Sequence, residues 1–293
     1  MTANLLLLLT AAIWGFGFVA QVIGMDYLKP FGFIGARFLL GAVSLLPVIW
    51  FFRRSLLRQP VSYAQLLRAS LASGAILFAA SSFQQVGLLY TTASNAGFIT
   101  GMYMIFVPVI GLMLGVKTSV AVWLGCSIAC LGLFLLGVDE YWQVGFGDLL
   151  QLAGASLWAV HILAIDRFGK KVPGILLAMG QFLVCSVLAA LVSGVLVGEG
   201  TTVQQLLDAG PTLFYAGIVT VGVAYTLQVI AQAKAHPAYA GIILSLEAVF
   251  GAIGGYWLLD ELLNSRQLMG CILMLIGMIV SQAFLPKPKT EDG

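Results

Sequence analysis

The stretch Ala238–Leu259 reads AYAGIILSLEAVFGAIGGYWLL, and the interpretation of the whole chain starts from it. It is an apolar run long enough to cross a bilayer as a single helix. It also carries one carboxylate, Glu247, near its middle. Because a charged side chain at that depth costs several kcal/mol, an intramembrane carboxylate is by default a candidate for a functional site. The stretch therefore predicts a membrane helix that contributes to a site.

The same stretch has an earlier copy 144 residues upstream, and the correspondence extends over most of the chain. Residues matched at this offset include Trp14 and Trp158, Phe38 and Phe182, Gln84 and Gln228, Gly97 and Gly241, Phe106 and Phe250, and Gly111 and Gly255. With one extra residue the register continues, so that Gly125 and Gly132 match Gly270 and Gly277. Two copies of one set of helices indicate a transporter built from two related halves.

The composition is that of an integral membrane protein. Hydrophobic residues make up 60% of the 293 residues and charged residues only 9%, whereas soluble domains carry about 25% charged residues. The first apolar run has no basic residues before it and is too long for a signal-peptide core, so we interpret it as a retained first span. The four cysteines fall inside apolar runs and are interpreted as packing residues, not as a metal site.

Ten membrane spans are predicted, each close to the ~20 residues that a helix needs to cross the hydrocarbon core. They cover residues 4–24, 31–52, 69–89, 93–115, 119–138, 148–165, 174–197, 211–233, 238–259 and 267–285. With the N-terminus in the cytoplasm, eleven of the fourteen basic residues lie on the inner side. That asymmetry places both termini in the cytoplasm and predicts a multi-pass protein of the cell (cytoplasmic or inner) membrane.

An odd number of spans in each half has a mechanical consequence. Five spans in the first half force the second half to enter the membrane from the opposite face, which gives an inverted repeat. We therefore predict an all-α membrane protein of ten transmembrane helices in two inverted five-helix repeats, residues 1–140 and 145–286, followed by a short cytoplasmic tail, 287–293. Inverted repeats place a substrate site near the midplane between the halves, and rocking of the halves gives alternating access.

Several motifs resemble the EamA branch of the drug/metabolite transporter superfamily. They are Trp14-Gly15, Arg37-Phe38, NAGFITG at 95–101, Phe106-Val107-Pro108, Gly147-Asp148, Leu246-Glu247 and Asp260-Glu261. The resemblance covers nearly the whole chain. It implies secondary transport, more often export than uptake, of an amino acid or a similar polar metabolite. The family often has proline where this chain has Ala248, which predicts a stiffer ninth span, and Gly-Glu where it has Val116-Lys117.

Three readily ionisable side chains lie within the predicted spans, namely Arg37, His161 and Glu247. Glu247 either holds a substrate amine, loads a proton, or is a protonated structural group bonded to a neighbouring helix. His161 titrates near neutral pH in water, and its plainer interpretation is a neutral core histidine. Arg37 lies two turns into its span and is expected to snorkel to the outer surface or to form a structural ion pair.

Aromatic and amide side chains complete the predicted cavity. Buried amides in lipid need partners and therefore point into the bundle, either as helix–helix contacts or as a cavity lining. Pairs of glycines on spans four and nine predict that these two helices pack at the centre of the bundle. They are Gly97 with Gly101, Gly111 with Gly115, and Gly251 with Gly255. The predicted substrate-binding residues are Trp14, Phe18, Gln84, Tyr103, Trp158, His161, Tyr225, Gln228 and Glu247.

Other function classes find little support in the sequence. Gly145–Asp148 spells the GxGD string of intramembrane aspartyl proteases, but no predicted span supplies the second aspartate that such chemistry requires. No Walker A loop is present, so ATP is not expected to drive transport. A carrier of sugars or nucleotide-type metabolites would show more basic residues in its spans. We predict a monomeric non-enzyme in the lipid bilayer that takes a small-molecule substrate, with no cofactor, no metal and no nucleic-acid partner.

Overall fold

The computed structural model describes residues 2–57, 62–91, 93–137, 145–258 and 264–283, and all regular structure within them is helical. Two of the segments, Val192–Val197 and Phe214–Tyr225, are π-helical. The α-helices are α1 (Thr2–Gly24), α2 (Pro30–Ser44), α3 (Leu46–Leu57), α4 (Tyr63–Gly87), α5 (Ala93–Gly101), α6 (Tyr103–Met113), α7 (Val120–Gly137), α8 (Phe146–Gly169), α9 (Gly174–Leu191), α10 (Val203–Asp208), α11 (Gly210–Leu213), α12 (Thr226–Gln232), α13 (Pro237–Leu244), α14 (Glu247–Leu258) and α15 (Ser265–Ala283).

Within the residues that the structure describes, seven continuous helical stretches are long and apolar enough to cross a membrane. An eighth follows if α2 and α3, which meet at a bend of 45°, are counted as one span. Two shorter apolar helices, Val120–Leu135 and Ser265–Ser281, coincide with the predicted fifth and tenth spans. The all-helical membrane architecture is confirmed, while the count of ten spans and the side of the termini stay predictions. The predicted tail, 287–293, lies outside the described residues.

The two halves of the chain interlock. Helix α4 of the first half packs against α8 and α9 of the second half. Its counterpart in the second half, the π-helical segment Phe214–Tyr225, packs against α1 and α2 of the first. Because the third helix of each half contacts the first two helices of the other, the same contacts recur on both sides of the bundle. The centre of the molecule is therefore built equally from both halves.

Helices α7 and α15 pack at backbone distance along glycines. A Cβ atom added at Gly125 would lie 2.6 Å from the Gly277 carbonyl oxygen, and one at Gly132 would lie 2.6 Å from that of Gly270. Contacts this short leave no room for a side chain at Gly125, at Gly132 or at Gly277, where an added Cβ would also lie 2.6 Å from a carbonyl oxygen. We define these four residues as the glycine seam.

Spans four and nine pack against each other as predicted, α13 against α6 and α14 against α5. Pro237–Leu258 is also the most deeply buried of the membrane-length helices, at 78%. Three of the glycines proposed to bring them together, Gly111, Gly115 and Gly251, make no close approach to the other span, however. A Cβ at Gly111 or Gly251 would meet its neighbours at ordinary contact distance, 3.6 Å, and one at Gly115 would meet nothing within 4 Å.

Both central spans are interrupted by one tightened turn at matching positions. In span four the Met102 amide donates to the Ile99 carbonyl at 3.1 Å, and in span nine the Leu246 amide donates to the Ile243 carbonyl at 3.2 Å. Such i→i+3 bonds inside a helix often mark a hinge. The tightened turn of span nine forms although Ala248 stands where the family often has proline, and the stiffness of this span stays a prediction.

Two carboxylates on the predicted outer side cap helices. Glu199 accepts hydrogen bonds from the Phe31 and Gly32 amides, at 3.1 and 2.6 Å, and so closes the start of α2. Asp148 accepts from the Gly145 amide at 2.9 Å and from the Thr91 hydroxyl at 2.5 Å at the start of α8. The GxGD string is thus a helix start, where a carboxylate favours the helix dipole.

Candidate functional site

A cavity opens at the centre of the bundle, where helices of both halves converge. Its volume is about 30 Å³, enough for one or two water molecules but not for an amino acid. The lining residues are Trp14, Phe18, Gln21, Arg37, Gln84, Thr100, Tyr103, Trp158, Ile162, Thr220, Tyr225, Gln228 and Glu247. Eight of the nine predicted site residues are among them, and His161 is the exception.

Glu247 is the first residue of α14, directly after the tightened turn of span nine. Its counterpart 144 residues earlier, Tyr103, is the first residue of α6, directly after the turn of span four. The Tyr103 hydroxyl faces the Glu247 carboxyl, and both side chains are at most 4% exposed. Neither the hydroxyl nor Glu247 Oε1 reaches a hydrogen-bond partner among the described residues. The two hinge-like turns thus present a phenol and a carboxyl group to each other at the cavity.

Arg37 lies in this cavity, which corrects the expectation that it snorkels to the outer surface. Its side chain is 3% exposed, and its guanidinium lies over the rings of Phe33 and Phe38, at 5.7 and 5.1 Å from their centroids. Within the described part of the chain no carboxylate approaches it within 4 Å, and its Nε has no hydrogen-bond partner there. The structural ion pair considered from the sequence is therefore also absent among these residues.

Amide side chains join the two halves beside the cavity. Gln84 accepts a hydrogen bond from Trp158 Nε1 at 2.8 Å and donates to the Gln21 side chain at 3.1 Å. Gln151 donates to the Gln84 carbonyl at 2.9 Å. The side-chain oxygen, the side-chain nitrogen and the backbone carbonyl of Gln84 thus all form hydrogen bonds. These bonds hold α1, α4 and α8 together. By contrast, Oε1 of its counterpart Gln228 has no partner among the described residues.

Tyr225 is the centre of the aromatic wall. Its ring lies 4.5 Å from that of Trp14, 6.0 Å from that of Trp158 and 5.9 Å from that of Phe38, between centroids. It closes the π-helical segment Phe214–Tyr225, and π-helical turns occur frequently at functional sites. The wall offers flat apolar surface to a bound molecule while the polar groups described above face the same space.

His161 lies behind this wall. Its Nε2 is 2.9 Å from the Gln181 side-chain oxygen, and its ring meets those of Trp158 and Tyr225 edge-on, at 5.8 and 6.4 Å. The side chain is fully buried. This placement suits the plainer interpretation of a core histidine that supports Trp158 and Tyr225 from behind.

The sequence did not single out several lining residues. Thr220 was missed because it lies in the π-helical segment, where an α-helical periodicity assigns the wrong face. Thr100 and Ile162 carry no signal that separates them from packing residues. Arg37 was noticed but not assigned to the site, and Gln21, which follows Trp14 and Phe18 on one face of α1, also lines the cavity.

Comparisons with known proteins give the family. The family model described as "EamA-like transporter family" matches residues 1–138 and 145–282. An "Uncharacterized transporter" of Archaeoglobus fulgidus is 31% identical over 95% of this chain and 85% of its own. A "Probable amino-acid metabolite efflux pump" of Escherichia coli K12 is 25% identical over 95% and 94% of the two chains.

One solved crystal structure shows the same fold, with a TM-score of 0.76 at 19% identity over 96% of each chain. The family match, together with several apolar helices of membrane length, makes this a multi-pass protein of the cell membrane. The resemblance inferred from the sequence motifs is confirmed, because the matched residues cover nearly the whole chain. The chain belongs to the EamA-like transporter family.

Proposed function

We propose that the protein exports small polar metabolites such as amino acids, by alternating access through the central cavity. One observation carries this proposal. Five residues that line the cavity, each from a different helical segment, carry a buried polar atom for which no partner among the described residues meets the distance and angle limits of a hydrogen bond. These atoms are Arg37 Nε, Tyr103 Oη, Thr220 Oγ1, Gln228 Oε1 and Glu247 Oε1. Buried polar groups are nearly always hydrogen-bonded, so a set of unpaired ones around one cavity favours a polar ligand.

The closed cavity supports a mechanism in which the bundle rearranges. At about 30 Å³ it must widen before an amino acid fits. The tightened turns before Tyr103 and Glu247 are the natural places for that movement, since each sits in the middle of a central span. We propose that two inverted five-helix repeats, residues 1–140 and 145–286, rock about these turns. We propose that the transporter acts as a monomer.

The direction and the cargo are supported by similarity. The relative from Escherichia coli carries the name of an amino-acid metabolite efflux pump and aligns over nearly its full length. An amino acid offers a cation, an anion and a side chain, which matches a cavity that contains a carboxyl group, a guanidinium and aromatic rings. Glu247 either holds the amine or carries the coupling proton.

Counterflow in proteoliposomes tests the proposal. We expect purified protein to exchange radiolabelled amino acids from a broad solute panel, and Glu247→Gln to lower exchange more than tenfold, about the loss expected when a charge-assisted hydrogen bond is removed. Measuring wild type and variant across external pH separates amine binding from proton loading. Asp166→Asn, which removes a carboxylate paired with Lys170 outside the cavity, is the matched control. Absence of exchange for every solute would refute the transport function.

A further inference from the structure

We propose that Arg37 binds the carboxylate of the transported solute, so that the cavity selects molecules carrying a carboxylate together with an amine. The inference rests on the proposed transport function and specifies its substrate class. It starts from the burial of a guanidinium that remains charged in proteins. No carboxylate of the described residues lies within 4 Å to neutralise that charge.

The rings of Phe33 and Phe38 compensate the cation only in part. Cation–π contacts at 5.7 and 5.1 Å are weaker than the penalty for removing an ion from water. The Nε of Arg37 is a buried donor without a partner among the described residues, and Arg37 lines the same cavity as Glu247. A guanidinium presents a planar fork of N–H groups that matches a carboxylate with two parallel hydrogen bonds. A carboxylate of the solute therefore completes both the charge and the hydrogen bonding.

Glu247 is the group in the cavity that would select the amine of the solute. It lies on α14, Arg37 lies on α2, and both line the same cavity without forming an ion pair with each other. When the Glu247 carboxyl is ionised, it and the Arg37 guanidinium place two opposite charges on the wall of one closed cavity, which complements a solute whose amine and carboxylate are also separate. A dianionic phosphate fits less well, because the Glu247 carboxylate repels it when ionised.

Paired substrates test this inference. The probes are phenylalanine, leucine and threonine, each with its α-amide, which keeps the amine and loses the carboxylate. In proteoliposome counterflow we expect wild type to prefer each acid over its amide at least tenfold. Arg37→Gln should bring that ratio close to one, and Arg37→Lys should retain part of it, since lysine keeps the charge but not the fork. Size-exclusion profiles report whether each variant is folded.

Arg53→Gln is the matched control, because Arg53 also lies over an aromatic ring, Trp50 at 4.5 Å, but is exposed outside the cavity. An Arg37→Gln variant that still exchanges amino acids with the wild-type acid-to-amide ratio would overturn the inference while leaving transport intact. Failure of wild type to exchange any solute would instead overturn the proposed function.

One tryptophan–glutamine hydrogen bond beside the cavity differs between the two halves of the chain. Trp158 Nε1 donates to Gln84 Oε1 at 2.8 Å. The counterparts of these residues are Trp14 and Gln228, and they do not form the matching bond. Trp14 Nε1 donates to the Thr220 carbonyl at 3.4 Å instead, and Gln228 Oε1 has no partner among the described residues. The tryptophan–glutamine hydrogen bond is thus present between Trp158 and Gln84 and absent between Trp14 and Gln228.

The segment just before Gln228 differs in conformation from its counterpart in the first half. The segment Phe214–Tyr225 is π-helical, whereas the matching residues 70–81 belong to the regular helix α4. We infer that the two tryptophan–glutamine bonds alternate, Trp158–Gln84 in the state seen here and Trp14–Gln228 in the oppositely facing state. In a transporter with inverted repeats, exchanging the conformations of the halves exchanges each contact for its counterpart.

Accessibility labelling tests the exchange. A single cysteine replaces Thr100 in the cavity of a cysteine-free protein, and a membrane-impermeant maleimide is applied to intact cells or to inverted vesicles. Trp158→Phe and Trp14→Phe should shift the outside-to-inside labelling ratio in opposite directions, each by roughly fivefold, the effect of one hydrogen bond on a two-state equilibrium. Trp257→Phe, an exposed tryptophan, is the control. Shifts in the same direction, or no shift in folded variants, would overturn the inference.

Discussion

Two of the contacts between the halves of the chain bring matched positions together, and the chemistry of these two contacts differs. Between α7 and α15, glycine approaches glycine at backbone distance in a crossed arrangement, Gly125 with Gly277 and Gly132 with Gly270. Between α6 and α14, Tyr103 faces its own counterpart, Glu247. Identical small residues at the first contact hold the helices together. Different residues at the second contact face the cavity, which indicates that the copies share a scaffold and divide the chemistry.

The largest effect is expected at the glycine seam. Gly132→Ala places a methyl group 2.6 Å from a backbone carbonyl oxygen, so the helices must separate, at a cost of about 1–3 kcal/mol for overpacking. We expect a lower melting temperature and less monodisperse protein in fluorescence-detected size-exclusion chromatography. Gly194→Ala is the matched control, because a Cβ there meets nothing within 4 Å. Equal stability of the two variants would show that the seam does not support the scaffold.

An intermediate effect is expected where the copies differ. Tyr103→Phe removes the hydroxyl that faces Glu247 without changing the ring, and we expect roughly tenfold slower exchange of amino acids in proteoliposomes. Because the two groups face each other, the loss in the double variant with Glu247→Gln should be smaller than the product of the single losses, with a coupling energy of about 0.5–3 kcal/mol. Independent, multiplying losses would mean that the phenol and the carboxyl group do not act together.

The smallest effect is expected at the tightened turns themselves. Ser245 lies within the tightened turn of span nine, and its hydroxyl donates a hydrogen bond to the Ile242 carbonyl at 2.8 Å. Its counterpart in span four, Gly101, has no side chain. Ser245→Gly makes the two turns alike, and exchange should stay within about twofold of wild type. Ser156→Gly, which removes a similar bond at 2.7 Å in α8, serves as the control. A large loss specific to Ser245→Gly would show that span nine needs its hydroxyl to bend.

The sequence predicted many of the residues that line the cavity, because residues matched between the two halves lie near the centre of the bundle. Trp14, Gln84, Trp158 and Gln228 lie at matched positions of the two halves, and all four line the cavity. Arg37 shows where such reasoning stops. Its depth along the helix, two turns from the end, is compatible with snorkelling, and only the packing of Phe33 and Phe38 around it keeps the guanidinium inside.

The sequence alone determined the helical membrane class and predicted the duplication and the depth of Glu247, because hydrophobic length and the spacing of matched residues can be read from the chain without its fold. Tertiary structure decided which glycines touch, which tryptophan bonds its glutamine, and which face of the π-helical segment meets the cavity. Those outcomes depend on how helices approach one another to within tenths of an ångström. Residues far apart in the chain fix that approach together, so no single stretch encodes it.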